Sequence, residues 1–297
     1  MRKIQQLCTS MLLTLALMVN MVPAGLAAEE PDRDLSLEPE YTDLSAADAP
    51  GAENPITDFE TLQAAVETAE GTAEEPAVIY ISGMMEQTAQ LALKDGQYIH
   101  LVGVGAGENG LVRAESFTNN GDMIDVGRND NSNVCGLTLE NIVLDGGAQW
   151  ADAAGGTNDG ISAGNSSLLS VRGSAEAYLL DGTTLRNNEK SGGGAGVWIV
   201  GELYVDGGEI VDNAAAGTNR GGAAYLRNPE SVLNLLSGEI SNNYAAVGGG
   251  VYINNQGTVN LGGGSIAGNE IPSGDSNLDV NNGSVQITGA FETGDQV

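Results

Sequence analysis

Short segments in which apolar and polar residues alternate recur along the second half of the chain at nearly constant spacing. The triplet Val197-Trp198-Ile199 returns in related form, and the last apolar residues of these triplets are 27 residues apart each time: Ile199, Leu226, Ile253 and Val280. Two further apolar series have similar steps, namely Val205, Leu235, Leu261 and Ile287, and Leu185, Ile210, Ile240 and Ile266. Three strand-like segments in each period of about 25–30 residues are typical of a solenoid.

Each segment has the two-residue period of a β-strand rather than the period of a helix. In Val197-Trp198-Ile199 the outer two side chains point one way and the middle one points the other way. Stacked coils would place like residues about 4.8 Å apart and bury an interior of Val, Ile and Leu. A helical solenoid is the alternative, but Gly and Asn interrupt every apolar run of the repeats before a helical period develops.

A polar pair follows the third segment of each period at a constant offset: Asn187-Asn188, Asp212-Asn213, Asn242-Asn243 and Gly268-Asn269. Asn tolerates the left-handed backbone conformation that a sharp corner requires, and stacked Asn side chains can hydrogen-bond from one coil to the next. Glycine tracts such as Gly192-Gly193-Gly194 precede the first segment, where we expect the backbone to bend or to pack closely.

This pattern resembles the repeats of bacterial surface proteins with a right-handed parallel β-helix, including the polymorphic outer-membrane and adhesin-like families. Those repeats contain an apolar residue, two variable residues, Asn and then a Gly-Gly-Ala-Ile-like tract. Ile210-Val211-Asp212-Asn213 before Gly221-Gly222-Ala223-Ala224 is similar to that pattern, and the match covers roughly residues 182 to 288. The resemblance implies an all-β, right-handed parallel β-helix (a pectin-lyase-like fold), but it does not specify an activity.

The chain divides into three predicted parts. Residues 1–27 have a basic end, an apolar stretch and a small-residue cleavage site, and they predict a secretory signal peptide rather than a retained anchor. Residues 28–55 form an acidic, proline-containing linker. Residues 56–297 form the β-helix domain, which begins with a helix over 56–71 whose capping box is Thr57-Asp58-Phe59-Glu60. We expect this helix to cover the first coil, whose unpaired strand edges would invite aggregation.

The first coils are predicted to be less regular than the later ones. Strand-like segments are present at Val78–Ile81, Tyr98–Val102, Met123–Val126, Leu137–Leu139 and Ile142–Leu144. Between them we expect polar loops at Gly105–Asn120, Gly127–Asn133 and Gly146–Asp159. Loops on one side of a solenoid are a common place for binding.

The charge of the chain restricts its partners. The 40 acidic residues against 11 basic ones give a formal net charge of −29, which argues against nucleic acid or an anionic lipid surface. Together with the signal peptide, this predicts a secreted or cell-surface protein without membrane insertion of the mature chain. Removal of Arg2 and Lys3 with the signal leaves 11 − 2 = 9 basic residues, which is a poor supply for a cleft that binds anionic sugar chains.

No catalytic constellation is recognisable. The mature chain has one histidine, His100, and one cysteine, Cys135. We expect a solvent-facing or packed histidine and a small buried cysteine, and a zinc site of His and Cys is excluded on ligand count. The segment around Asp159 resembles one motif of polygalacturonases, but that family's other motifs are missing. We therefore predict a non-catalytic, adhesin-like binding protein. A polysaccharide lyase or hydrolase, or a degenerate relative of one, is the alternative, and a structural spacer is the third hypothesis.

Two constellations follow from the repeat register. Trp198, Tyr225 and Tyr252 occupy equivalent outward positions, and such a stripe would suit a carbohydrate or a host-surface ligand; the alternative is that the rings only stack on each other for stability. Trp150 and Asp159, in the irregular loops, are the next candidates. Glu209 and Glu239 also stack, so Ca²⁺ is a possible bridging ion, with a solvated acidic surface as the alternative. No other cofactor is expected.

Overall fold

The computed structural model of the protein describes residues 51–117, 121–127, 134–148 and 164–289. The predicted signal peptide, most of the predicted linker, Trp150 and Asp159 lie outside the described residues. In the described part, the chain is mostly β-strand, arranged in long parallel sheets, with one α-helix. That part contains no helix that is both long enough and apolar enough to cross a membrane.

The chain passes in turn through three parallel sheets and then repeats the same order. The described strands of the first sheet are β1 (Ala77–Ile81), β4 (Tyr98–Gly103), β7 (Gly136–Glu140), β10 (Glu176–Leu179), β14 (Glu202–Val205), β18 (Val232–Leu235), β21 (Thr258–Leu261) and β26 (Ser284–Ile287). Those of the second are β2 (Met84–Gln87), β5 (Gly110–Arg113), β8 (Val143–Asp145), β11 (Thr184–Arg186), β15 (Glu209–Val211), β19 (Glu239–Ser241) and β22 (Ser265–Ala267). Those of the third are β3 (Leu91–Ala92), β6 (Ile124–Val126), β9 (Leu169–Val171), β13 (Val197–Ile199), β17 (Ala224–Leu226), β20 (Val251–Asn254) and β25 (Leu278–Asn281).

Short strands add smaller pairings to these sheets. β12 (Glu189–Lys190) pairs in parallel with β16 (Ala214–Ala215), and β23 (Glu270–Ile271) pairs antiparallel with β24 (Gly274–Asp275). One passage through the three sheets is called a repeat below.

The register of the sheets follows the spacing of the apolar residues. Leu226 lies between Ile199 and Ile253 in the third sheet. In the first sheet Leu235 lies between its predicted neighbours, and in the second Ile240 does so as well. The three predicted apolar series are therefore confirmed as columns of paired residues. Because side chains alternate along a strand, this register directs each column to one side of its sheet.

Aliphatic side chains from all three sheets and the helix form one continuous core. Ile199, Leu226 and Ile253 are fully buried in it. The last described repeat departs from the prediction, because Val280 is 45% exposed and Ile287 is 73% exposed. β25 and β26 lie at the ends of their sheets, with a described neighbouring strand on one side only.

The polar corner after the second sheet is an amide ladder, formed by Asn188, Asn213, Asn243 and Asn269. The residue before each of these has a positive φ, for example 54° at Asp212 and 55° at Asn242. The backbone N–H of Asn213 donates to Oδ1 of Asn243 at 3.0 Å, and that of Asn243 donates to Oδ1 of Asn269 at 3.1 Å. The left-handed corners and the bonds between repeats are both confirmed. A buried amide is tolerated here because its donors and acceptors are paired.

Gly222 and Gly249 explain the need for glycine tracts beside this corner. A Cβ atom on Gly222 would lie 2.3 Å from the carbonyl oxygen of Gly249, and one on Gly249 would lie 2.3 Å from that of Glu270. Successive repeats therefore approach each other backbone to backbone at this corner, which only glycine permits.

The helix, α1 (Phe59–Thr68), is shorter than predicted. Its N-cap is Asp58, which accepts a hydrogen bond from the backbone N–H of Thr61 at 2.9 Å, so the predicted capping box at Thr57 is wrong. The reason is that Ile56 pairs in parallel with Ile81 at the edge of the first sheet, and this keeps the preceding chain extended. The buried side chains of α1 join the core.

The irregular first repeats contain more strands than predicted. The five predicted strands match β1, β4, β6, β7 and β8 to within one residue at each end. However, β5 lies inside the polar loop predicted at Gly105–Asn120, so that loop is shorter than expected. Within Gly110–Arg113, Leu111 is completely buried. The strand begins with a glycine and ends with an arginine, so the sequence does not show the alternation of apolar and polar residues that predicts a strand.

Candidate functional site

The outward face of the third sheet carries an aromatic ladder, which consists of Trp198, Tyr225 and Tyr252. The three residues are paired in register through β13, β17 and β20. The ring centroids of Trp198 and Tyr225 are 4.9 Å apart with an interplanar angle of 12°, and those of Tyr225 and Tyr252 are 5.5 Å apart at 16°. The predicted alignment of these residues is therefore confirmed.

The exposure of the aromatic ladder differs from the prediction at Tyr252. Trp198 and Tyr225 are half-buried, but Tyr252 is only 4% exposed. It lies outside the core, and the guanidinium of Arg220 covers its ring, with Cζ 5.3 Å from the centroid. Because neighbouring rings also cover each other's faces, a sugar cannot lie flat on all three residues. In register, Trp198 follows the small residue Ser170, which leaves the second face of the indole uncovered by a neighbouring ring.

A pocket of about 340 Å³ lies beside Trp198. It is called the Trp198 pocket below, and its lining residues are Arg172, Gly173, Trp198, Val200, Arg227, Asn228 and Asn255. Most of them directly follow strands of the third sheet, so four successive repeats contribute to one wall. The lining combines an aromatic surface with amide and guanidinium donors, which is the usual composition of a site that fixes a polar ligand by a few directed contacts.

Folding collects positive charge at this face. Four basic residues surround the aromatic ladder, although they are far apart in sequence: Arg172, Lys190, Arg220 and Arg227. Nζ of Lys190 lies 4.9 Å from the centroid of the Trp198 ring, and Cζ of Arg227 lies 5.4 Å from it. A cation over an aromatic face is attracted by the ring quadrupole. This face therefore carries several cations, even though the chain has few basic residues.

The four cations differ in how they are compensated. Arg172 pairs with Asp122 at 2.7 Å and with Asp125 at 3.1 Å. Lys190 is buried and donates from Nζ to Oγ of Ser167 at 2.8 Å. Burial lowers the pKa of Lys190 to about 8, with the Asp122 carboxylate opposing that shift. Asp122 and Ser167 connect these two residues into one polar network, in which Lys190 is buried and Arg172 is partly exposed.

Arg220 and Arg227 are different because both are exposed. Within the described ranges, no carboxylate lies at ion-pair distance from either guanidinium. Their described side-chain contacts are with the rings of Tyr252 and Trp198. Both are therefore available to an anionic group in solution.

Sequence reasoning missed these basic residues, although one signal was present. Arg227 directly follows β17 and is equivalent to Val200 and Asn254 in the neighbouring repeats. The repeat register alone thus places Arg227 at the end of the aromatic face. Arg172 and Lys190 reach the same face from other repeats, and their positions have no equivalent signal in the sequence.

The predicted acidic pair is also in register. Glu209 pairs with Glu239 in the second sheet, and both are exposed. The next residue in that column is Ser265, so the column offers two carboxylates. Calcium takes about 6–8 oxygen ligands. Among the residues that the structure describes, no group of three or more His, Cys, Asp or Glu side chains is arranged to hold a metal ion.

The remaining candidates are packed side chains. His100 is 3% exposed, and its Nε2 lies 2.9 Å from Oε2 of Glu140, an interaction that lowers the pKa of that carboxyl. Cys135 is fully buried, and burial raises the pKa of its thiol to about 11, which disfavours the reactive thiolate. The hypotheses for Trp150 and Asp159 fall outside the described residues.

Comparisons with models of protein families, with curated proteins and with solved structures found no match for this chain.

Proposed function

We propose that this protein is a secreted or cell-surface, right-handed parallel β-helix that binds carbohydrate without catalysing a reaction on it. The ordered passage through three parallel sheets supports the β-helix, and the buried face of α1 supports a role for the helix as the cover of the first repeat. A covered end would prevent edge-to-edge association of the strands. The likeness of the repeats to adhesin-like surface proteins motivates the cellular location.

The observation that carries the proposal is a pocket that combines directed polar donors with the half-buried indole of Trp198, one face of which has no neighbouring ring. Sugar rings have an apolar face that packs on an indole and hydroxyl groups that accept hydrogen bonds from amides and guanidiniums. Asn228, Asn255 and Arg227 supply such donors around the ring. Contact with one indole gives modest affinity, so firm attachment would require several copies of the protein or of the glycan unit.

The arrangement favours binding over catalysis. The hydroxyl of Ser167 is close to the amine of Lys190, but Ser167 is fully buried and donates to the carbonyl oxygen of Gly194 at 2.7 Å. Such a hydroxyl is held as a structural donor rather than presented to a substrate. Hydrolysis of a glycosidic bond would in general need a pair of carboxyl groups facing each other across the ligand.

The proposal is tested by binding of the mature protein to an array of neutral and acidic glycans. Trp198→Ser should abolish binding, because it removes the stacking surface while leaving the core untouched. Tyr204→Ser is the matched control, since it also removes a half-buried, stacked ring, but from the first sheet. If the Trp198→Ser variant is folded, as judged by circular dichroism, and still binds the glycans, this site is ruled out. Release of new reducing ends or unsaturated products at a catalytic rate would favour the enzyme hypothesis instead.

A further inference from the structure

Two exposed guanidiniums flank the aromatic ladder on opposite ends of one repeat. Arg220 precedes β17 and Arg227 follows it, with Tyr225 between them. Arg220 reaches the ring of Tyr252 in the next repeat, whereas Arg227 reaches the ring of Trp198 in the previous one. The aromatic ladder therefore has an accessible positive charge near each end.

This accessible positive charge contrasts with the rest of the chain. The formal net charge of the protein is −29. Arg186, on the second sheet, is held by Glu108 at 2.7 Å and by Asp145 at 2.9 Å. Arg172, at the rim of the Trp198 pocket, is likewise paired with two carboxylates. Arg220 and Arg227 have no such partner among the described residues, so an anion from solution meets less competition there.

We propose that the Trp198 pocket takes an anionic sugar. The sugar ring packs on Trp198, its carboxylate or sulfate binds Arg227, and Arg220 attracts further charge along the same glycan. This inference rests on the proposed carbohydrate binding and adds the chemical class of the ligand.

The chemistry of arginine favours an anion over a neutral sugar at this position. The planar guanidinium offers two parallel N–H donors to one carboxylate or sulfate group, and such charge-assisted bonds are about twice as strong as bonds between neutral groups. Arg227 lies over the Trp198 ring, so its guanidinium is already oriented before the ligand arrives. Pre-organisation of this kind lowers the entropy that binding costs.

The experiment compares charged polymers with uncharged counterparts of the same backbone. Polygalacturonate is paired with its methyl ester, and dextran sulfate is paired with dextran. Each is titrated against the mature protein, and then against Trp198→Ser, Arg227→Gln, Arg220→Gln and Lys94→Gln. Lys94→Gln is the matched control, because it removes the same charge from an exposed side chain that donates to the Glu67 carbonyl oxygen of α1.

We expect at least one charged polymer to bind and its neutral counterpart to bind more weakly by about tenfold or more. Arg227→Gln should remove most of that difference, Arg220→Gln should reduce it less, and Lys94→Gln should leave it unchanged. Binding should also weaken as salt rises, because exposed charges are screened. Which charged polymer binds identifies carboxylate or sulfate as the preferred group.

Two outcomes would overturn the inference while leaving the proposed function intact. The first is equal binding of charged and neutral polymers that depends on Trp198 but not on Arg227, which would make Arg227 only a cover for the indole. The second is an equal loss of charged-polymer binding with Arg227→Gln and Lys94→Gln, which would indicate nonspecific electrostatic attraction rather than binding at the Trp198 pocket. By contrast, the proposed function itself would be contradicted if Trp198→Ser left the binding of every polymer unchanged.

Discussion

The described residues form two aromatic ladders, and these differ in the charges around them. On the first sheet, Tyr178 and Tyr204 are paired in register, with ring centroids 4.5 Å apart and an interplanar angle of 8°. Their hydroxyls donate to carboxylates of the same strands, Tyr178 to Glu176 at 3.2 Å and Tyr204 to Glu202 at 2.7 Å. The ladder on the third sheet has similar stacking, but guanidinium and ammonium groups surround it.

The comparison separates what stacking does from what charge does. Stacked rings arise on any face where equivalent positions of successive repeats are aromatic, and they stabilise the pairing of strands. On the first sheet the phenols satisfy neighbouring carboxylates, and the column continues as an amide pair in which Nδ2 of Asn260 donates to Oδ1 of Asn234 at 2.7 Å. That face satisfies its own polar groups. The face with Arg220 and Arg227 does not, and this difference makes it the candidate site.

The largest expected effect comes from a change in the core behind the third sheet. Ile253 is fully buried between Leu226 and the last described repeat. Ile253→Asp would place an unpaired carboxylate in the core, so we expect a loss of several kcal/mol in the free energy of unfolding. Chemical denaturation followed by circular dichroism measures it. The outward substitution Trp198→Ser should cost much less, and the reverse order of severity would mean that the register is shifted by one residue.

The repeat register was predictable because β-strands alternate with a period of two, so one apolar series of constant spacing defines which side chains face inward. The amide ladder was predictable for a related reason, since a left-handed corner and a buried amide recur at one offset. The strand β5 was not, because Leu111 is its one fully buried large apolar residue. The covering of Tyr252 was also not predictable, because it comes from Arg220, which is 32 residues earlier in the chain.

A smaller effect concerns the pH dependence of the free energy of unfolding, to which Lys190, a cation beside the third-sheet ladder, contributes. The pKa of Lys190 falls from 10.5 to about 8 on folding, since burial disfavours its charge, and Asp122 opposes the fall, whereas the cations Arg172 and Arg113 add to it. Between these two pKa values the unfolded chain binds more protons than the folded protein. The contribution of Lys190 to stability therefore increases as pH rises from about 8 to 10.5.

The matched variant for this pH effect is Lys190→Met. The free energy of unfolding of the native protein, minus that of Lys190→Met, should rise by on the order of 2 kcal/mol from pH 7.5 to pH 10.5. Cys135 acts in the opposite direction, because its folded pKa is raised from 9.0 to about 11, but it is present in both proteins and cancels. A difference that stays constant over this range would show that Lys190 keeps its ordinary pKa.

The smallest effect is a difference of about 1 kcal/mol in stability between two variants, with one tyrosine removed from each ladder. Tyr204 stacks on one ring, so Tyr204→Ser should cost about 1 kcal/mol of stability. Tyr225 stacks on two rings and accepts a hydrogen bond from Asn254, so Tyr225→Ser should cost about 2 kcal/mol.

Glycan binding should separate the two variants more sharply than stability does. Tyr204→Ser should leave it unchanged, because the rings and carboxylates of the first sheet do not line the Trp198 pocket. Tyr225→Ser should weaken it severalfold, because Trp198 loses the ring that supports it. Equal binding losses in two folded variants would mean that both ladders act only through stability, and the surrounding cations would then have no part in recognition.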